Sequence, residues 1–473
     1  MKTMLGTLLV LSAAAALAQD TPGHAVTTLE QQTDLAVTAY NNGIGLVKDT
    51  RELQLPTGTL RLEFQDVAEQ IQPATVSLRS LSEAGSITIY EQNYEYDLIS
   101  PEKLMEKYVG QEVKLFNFST EVKDFGGSNV QTAKLLSYNN GPVYLVRDEI
   151  YLGHPGNVIL PKIPENLIAK PTLIWELENA AGQQKIEATY VTNGITWQAD
   201  YVVTIPKTEQ TLDLKGWVTL NNQSGATYTN AQLKLVAGQL NMAPPPMPMD
   251  REMKMAIAGA AREAMPVEEA FAEYHLYTMP RRTTVKQNQS KQLALLDAAG
   301  VGFTKKYEYR SEPHFYYQFL PPMRDQHVQA SIEFQNKAEN KVGLPLPAGV
   351  MRIYQEDSSG TLQFAGEDRI EHTPKDEKVT LRMGEAFDIV ADRIQTDYQV
   401  IANNVHESAF EITVRNHKAA DVVVDVVENL PGDWRVLEKS MEFEKKDAQT
   451  VIFHAPVPKD GEVKVTYRVQ VRS

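Results

Sequence analysis

From Ile195 to Val203 every odd position is apolar: Ile195, Trp197, Ala199, Tyr201 and Val203. A period of two places those side chains on one face of a strand. The run from Thr211 to Leu220 repeats the pattern, with Leu212, Leu214, Val218 and Leu220 on one face and Trp217 on the other. Asn221-Asn222-Gln223-Ser224-Gly225 follows as a turn, and Ala231, Leu233, Leu235 and Ala237 alternate on the way back. Two alternating runs around such a loop predict a hairpin. Toward the end of the chain Phe410, Ile412 and Val414 precede an Asn416-His417-Lys418 turn, and Val422, Val424 and Val426 return. With Trp434, Val451-Ile452-Phe453 and the row from Val463 to Val471, about seven short strands accumulate, as in an immunoglobulin-like or fibronectin-type sandwich.

The expected fold is therefore mainly β, built of sandwich or barrel modules. The pattern divides into a β-rich unit over residues 19–173, a central unit over 174–395 and the immunoglobulin-like sandwich over 396–473. In the first unit Asn41-Asn42-Gly43, Pro56-Thr57-Gly58 and Asn139-Asn140-Gly141 mark turns. One helix is legible there: Ser100 as N-cap, Pro101 at the first helical position, Glu102 favouring the dipole, and Gly110 to end it. The central unit is interrupted at residues 241–272. Met242-Ala243-Pro244-Pro245-Pro246-Met247-Pro248-Met249 cannot pair as an interior strand, because proline lacks the donor, while Asp250 to Ala264 suits a helix. The stretch is expected to be an exposed, partly disordered insertion.

The first residues change the picture of where the protein works. One positive charge at Lys2, a short apolar run and a small-x-small site ending at Ala18 form a secretory signal peptide over residues 1–18. No later stretch approaches the ~18 apolar residues of a membrane helix, so the mature chain is not expected to span a bilayer. The chain has no cysteine, which excludes disulfides, thiol catalysis and thiolate metal sites, and leaves burial alone to hold an exported fold. With 61 acidic against 46 basic residues the net charge is −15, which argues against nucleic acid or another polyanion as the main partner. Another envelope protein or a glycan is the expected partner.

Several short runs are similar to one family. Gly194-Ile195-Thr196-Trp197-Gln198-Ala199-Asp200-Tyr201, Asn222-Gln223-Ser224-Gly225 and Leu235-Val236-Ala237-Gly238 resemble the DUF 4139 family of bacterial proteins. So do Tyr274-His275-Leu276-Tyr277, Lys291 to Leu296, Gly349 to Tyr354, Phe364 to Asp368 and Gly384 to Asp388. The resemblance runs over most of the chain from Val26 onwards. It implies an exported β-rich protein and brings no catalytic or binding residue with it.

The chain lacks the common nucleophile, phosphate-loop, calcium-loop and zinc signatures, and no cofactor is expected. The densest polar region runs from Arg352 and Tyr354 to Glu367, Asp368 and His372, with Glu385 and Asp388 close by. Paired carboxylates there suit acid/base work on a glycosidic bond, and with His372 they suit a divalent ion. The plainer reading is a solvated turn with ion pairs between strands. Trp217, opposite its strand's aliphatic row, either packs against a neighbouring unit or meets a ligand, with Arg352 and Tyr354 as further ligand-binding candidates. Met242, Met247, Met249, Met253 and Met255 form a thioether cluster of the kind that binds Cu(I), or a flexible linker. The leading expectation is a non-catalytic binding or structural module; a glycan or peptide hydrolase and a copper-binding protein are the alternatives. Limited proteolysis should cut first between Asn241 and Ala272; equal resistance there and in the flanks would end the insertion reading.

Overall fold

A computed structural model describes residues 23–116, 130–153, 156–164, 167–238, 268–271 and 274–472. Strands dominate them, and Pro101–Lys107 is the one α-helix among the described residues. That helix begins as its sequence dictates: the Ser100 hydroxyl accepts from the Lys103 amide, and Pro101 fills the first turn. Its Met105 and Tyr108 pack on a five-stranded sheet from residues 112–159, forming a small core of their own with Val113, Leu135 and Tyr144. The strands form several sheets with no closed barrel among the described residues, a sandwich-like arrangement.

The alternation read from the sequence is the burial pattern observed. Ile195, Trp197, Ala199, Tyr201 and Val203 are at most 4% exposed, as are Leu212, Leu214, Val218 and Leu220. They contribute to a first core that runs from Leu35 to Leu381 in sequence, closed by an eight-stranded and a four-stranded sheet together with part of a thirteen-stranded one. Trp175 lies at its centre, edge-on to Phe64, with its indole N–H donated to Gln92. A second core, from Tyr307 to Val471, is the C-terminal sandwich. Its sheets place Val405–Asn416 between Lys378–Ala402 and Gly461–Arg472, and Val422–Asn429 between Gln289–Arg310 and Thr450–Val457. Residue 173 lies in the strand Thr172–Asn179, and residue 395 lies in Lys378–Ala402. Of the expected insertion, residues Glu268–Phe271 form a strand paired with Tyr274–Thr278; residues 241–267 and 272 lie outside the described residues.

The expected hairpin between residues 211–220 and 231–237 does not form. Thr211–Asn222 pairs with Ile195–Ile205 and Gln289–Arg310, whereas Tyr228–Ala237 lies parallel to Gln32–Tyr40 in the facing sheet. The turn is a crossover between layers, fixed by fully buried Asn222, whose amide donates to Ala226 and Val285 carbonyls while its oxygen accepts from Ser224 N. Asn416 does the same in the second core, donating to Ala420 and Pro458 and accepting from Lys418 N. A buried asparagine amide satisfies carbonyls that neither sheet can reach, so the chain leaves its layer instead of folding back within it.

The first and second cores each hold one buried arginine. Arg51 lies 3.5 Å over the Phe64 ring, pairs with Asp49 at 2.8 Å and donates to the Thr27 and Gln65 carbonyls. Arg393 pairs with Glu428 at 2.5 Å, both side chains at most 1% exposed, and the Tyr316 hydroxyl donates to the second Glu428 oxygen. Removing one partner of such a pair leaves a buried charge without compensation. Glu428→Gln is expected to lower unfolding free energy by about 3–5 kcal/mol in urea titrations, and Arg393→Met with Glu428→Leu together to recover most of it. A loss from Glu428→Gln below about 1 kcal/mol would remove the pair from this role.

His454 makes a separate, surface clasp: its Nδ1 meets Asp425 at 2.7 Å and its Nε2 meets Glu444 at 3.2 Å. Hydrogen bonding to Asp425 raises its pKa above the ordinary 6.5, against the opposing effect of burial. The folded state thus favours the imidazolium. Its stabilisation is complete below the unfolded value and is lost as pH rises through the raised folded value. His454→Gln should flatten the fall in melting temperature on the alkaline side of pH 6.5, and an unchanged profile would contradict the clasp.

Candidate functional site

Five adjacent strands of the largest sheet expose one broad face. Their order is Leu362–Ile370, Gly349–Glu356, Ile195–Ile205, Thr211–Asn222 and Gln289–Arg310. Because the odd residues of Ile195–Ile205 are committed to the core, Gln198, Asp200 and Val202 fall on the other side. Register then sets Trp217 opposite Asp200, Ala294 opposite Trp217, Arg352 opposite Val202 and Glu367 opposite Arg352.

A polar chain crosses this face with one residue from each strand. Gln292 donates to the Thr219 hydroxyl at 3.4 Å, and Thr219 donates to Asp200 Oδ2 at 2.8 Å. Arg352 donates to Asp200 Oδ1 at 3.1 Å, and its Nε lies 3.5 Å from Glu367. Gln198 adds a longer bond to Asp200 Oδ2 at 3.4 Å. Asp200 is 9% exposed, so the centre of the chain is screened from water and its ends are wet.

Trp217 stands inside this network and takes no part in it. The indole N–H groups of Trp175, Trp197 and Trp434 are donated to Gln92, Val236 O and Ala448 O. That of Trp217 has no acceptor among the described residues, and the side chain is 37% exposed. The pairing with Gln289–Arg310 is irregular between Gly216 and Trp217, a bulge of the kind that re-aims a side chain. The residue directly across is Ala294, too small to cover the ring.

The sequence candidates are distributed unevenly over this geometry. Trp217, Arg352 and Glu367 share the face, the last two in contact, and Tyr354 lies farther along it, edge-on to exposed Phe364 with ring centroids 5.6 Å apart. Asp368 does not join them. Consecutive strand residues point to opposite faces, and Asp368 lies opposite buried Met351. Its Oδ2 accepts from the Arg382 amide at 2.7 Å, tying Leu362–Ile370 to Lys378–Ala402. The adjacent carboxylates therefore do not face one another as a pair. His372 sits at the end of the same strands in a cleft of about 260 Å³ with Asn41, Thr196, Asn221, Ala348 and Gln198, the last shared with the polar chain. Its Nδ1 accepts from the Ala348 amide, and burial lowers its pKa, so the ring is neutral with its proton on Nε2. Asp388 lies 3.9 Å from Lys418, and Glu385 pairs across from Gln329. No group of three His, Asp or Glu side chains among the described residues is placed to hold a metal. Met242, Met247, Met249, Met253 and Met255 lie outside the described residues.

Sequence reasoning missed Asp200, Thr219 and Gln292. One signal was available: Asp200 is the lone acid in an otherwise apolar or neutral strand. Its partners come from strands whose order no single sequence displays. A larger groove of about 570 Å³ lies elsewhere, beside Phe303, Glu333, Lys337, Asn340 and Lys378. Its Glu333 is already bound at 3.0 Å by both Lys306 and Lys378. The carboxylate of Asp368 has a local duty that can be measured. Asp368→Ala should speed hydrogen exchange at the Arg382 amide and cost roughly 1–2 kcal/mol; unchanged exchange there would discount the tie.

No curated protein matches the chain. A family model, Domain of unknown function (DUF4139), matches residues 186–472. The match takes in the whole exposed face and the second core, and all the short runs quoted for the resemblance fall within it, while residues before 186 lie outside. The chain belongs to the family described as Domain of unknown function (DUF4139).

Proposed function

We propose that the protein is an exported, non-catalytic binding module of the bacterial envelope, and that it meets its partner through the face around Trp217. One observation carries the reading: an exposed indole with a free N–H, surrounded by polar groups that are already bonded to each other. Such an arrangement is fixed before a partner arrives, so little ordering cost accompanies binding. The groups named for a hydrolytic centre are otherwise engaged: the Glu367 carboxylate is beside Arg352, the Asp368 carboxylate is bonded to a backbone amide, and His372 accepts from the Ala348 amide in a cleft at the end of the strands, which Gln198 also lines.

Export is supported by the Met1–Ala18 pattern. Among the described residues no helix is long and apolar enough to cross a membrane.

The absence of cysteine provides the test. Ala294→Cys places a unique thiol beside Trp217, and Asn139→Cys places one in a turn of the five-stranded sheet. With an environment-sensitive fluorophore, envelope extract should shift the emission of the first and leave the second unchanged. Equal responses, or none, would reject the face as the contact surface. Turnover of labelled peptidoglycan fragments that disappears in Glu367→Gln would replace the binding reading with a hydrolytic one.

A further inference from the structure

The face around Trp217 has a chemistry that selects among partners. Its charges are nearly balanced, with one net negative charge: Asp200 and Glu367 flank Arg352, and Lys215 lies 4.0 Å from Asp297. A polyanion gains little from such a surface, and neither does a polycation. The near neighbours of the ring are Asp200, Thr219, Lys215 and Ala294, not the contiguous apolar anchors that centre a protein–protein interface. What remains is one aromatic plate amid amide, hydroxyl, carboxylate and guanidinium groups in fixed positions. That combination matches a molecule whose ring faces are C–H surfaces and whose rim is hydroxyl.

Resting on the binding reading above, we propose that the face takes an uncharged oligosaccharide, with Trp217 as the stacking platform and the Gln292–Thr219–Asp200–Arg352 chain hydrogen-bonding the sugar rim. A pyranose laid on the indole presents its axial C–H groups to the negative ring face, and the free indole N–H meets a hydroxyl oxygen at the edge. Gln292 and Arg352 keep unused N–H donors toward solvent, and the outer carboxylate of Glu367 keeps acceptor capacity. The five strands, spaced ~4.8 Å apart, give the face a width of about 19 Å. It thus fits several sugar residues better than one, and being open at both sides it suits an internal stretch of a chain.

The probe is chitohexaose, a neutral N-acetylated oligosaccharide, titrated calorimetrically against the full mature protein. Binding is expected to be nearly independent of sodium chloride, to weaken about tenfold or more in Trp217→Ala, and to be largely kept in Trp217→Phe. Maltohexaose tests whether the acetamido group is read, and dextran sulfate, a polyanion, should not bind. Thermal melting of each variant controls for folding, since an exposed ring on a strand can be replaced without opening the core. Binding that survives Trp217→Ala, or that depends steeply on salt, overturns the proposal. If neither neutral oligosaccharide binds while the fluorophore at Ala294→Cys still responds to envelope extract, the saccharide assignment fails and the contact face stands with a protein partner. If both are silent, the binding reading fails with it.

Discussion

Gln289–Arg310, Met323–Gln335 and Lys378–Ala402 each supply side chains to two separate cores, and the in-and-out phase of these strands therefore has to survive the passage between them. In Met323–Gln335 it does so without interruption. Val328 and Ala330 enter the second core and Ile332 and Phe334 the first, all with the same parity. A slip of one residue would turn all four to the wrong side. In Lys378–Ala402 the phase shifts twice, where pairing with Met323–Gln335 is irregular on either side of Gly384 to Ala386, so that even-numbered Ala386 is buried between odd-numbered Leu381 and Ile389. Neither core can be completed without strands that also complete the other. The sandwich at the C-terminus is consequently a continuation of the same sheet and not an appended bead.

The proposed contact face follows from that constraint. Strands held on one side by Trp197, Tyr201, Leu212 and Leu214 cannot rotate, so the side chains on their other side are presented in a fixed grid. Asp200, Thr219, Gln292 and Arg352 belong to four strands and bond to one another only because register aligns them. Placing a recognition surface on strands instead of loops gives it precision, since backbone pairing positions each group. The buried pairs Arg51–Asp49 and Arg393–Glu428 act inside the cores and are remote in chemistry from this surface: enclosed, fully bonded and closed to ligands.

Much of the fold was legible in the order of residues because a strand's period is local. The apolar positions of residues 195–203 and 211–220, the cap at Ser100 and the turn at Asn41-Asn42-Gly43 needed no knowledge of distant parts. The place of Trp217 opposite its strand's aliphatic row followed from its phase alone, as did the separation of Glu367 from Asp368, had strand parity been applied there; its exposure came from the structure. Pairing was another matter. The hairpin expected around Asn222 and its counterpart at Asn416 is in each case a crossing between layers, and the same loop composition serves both outcomes. What decides between them is which buried carbonyls the asparagine amide finds, and those carbonyls come from residues 226, 285, 420 and 458.

By itself the sequence determined the strand-rich character, the faces of individual strands, the acidic balance and a cysteine-free chemistry, all properties of a residue and its near neighbours. Only the tertiary structure decided which strands lie side by side. That choice made Trp217 the centre of a bonded polar surface, moved Asp368 to a backbone tie and set His372 in a cleft at the strands' end that Gln198 also lines. The physical reason is that hydrogen-bond register acts between segments as much as 196 positions apart, as between Ala36 and Gln232, and alternation carries no label for the partner.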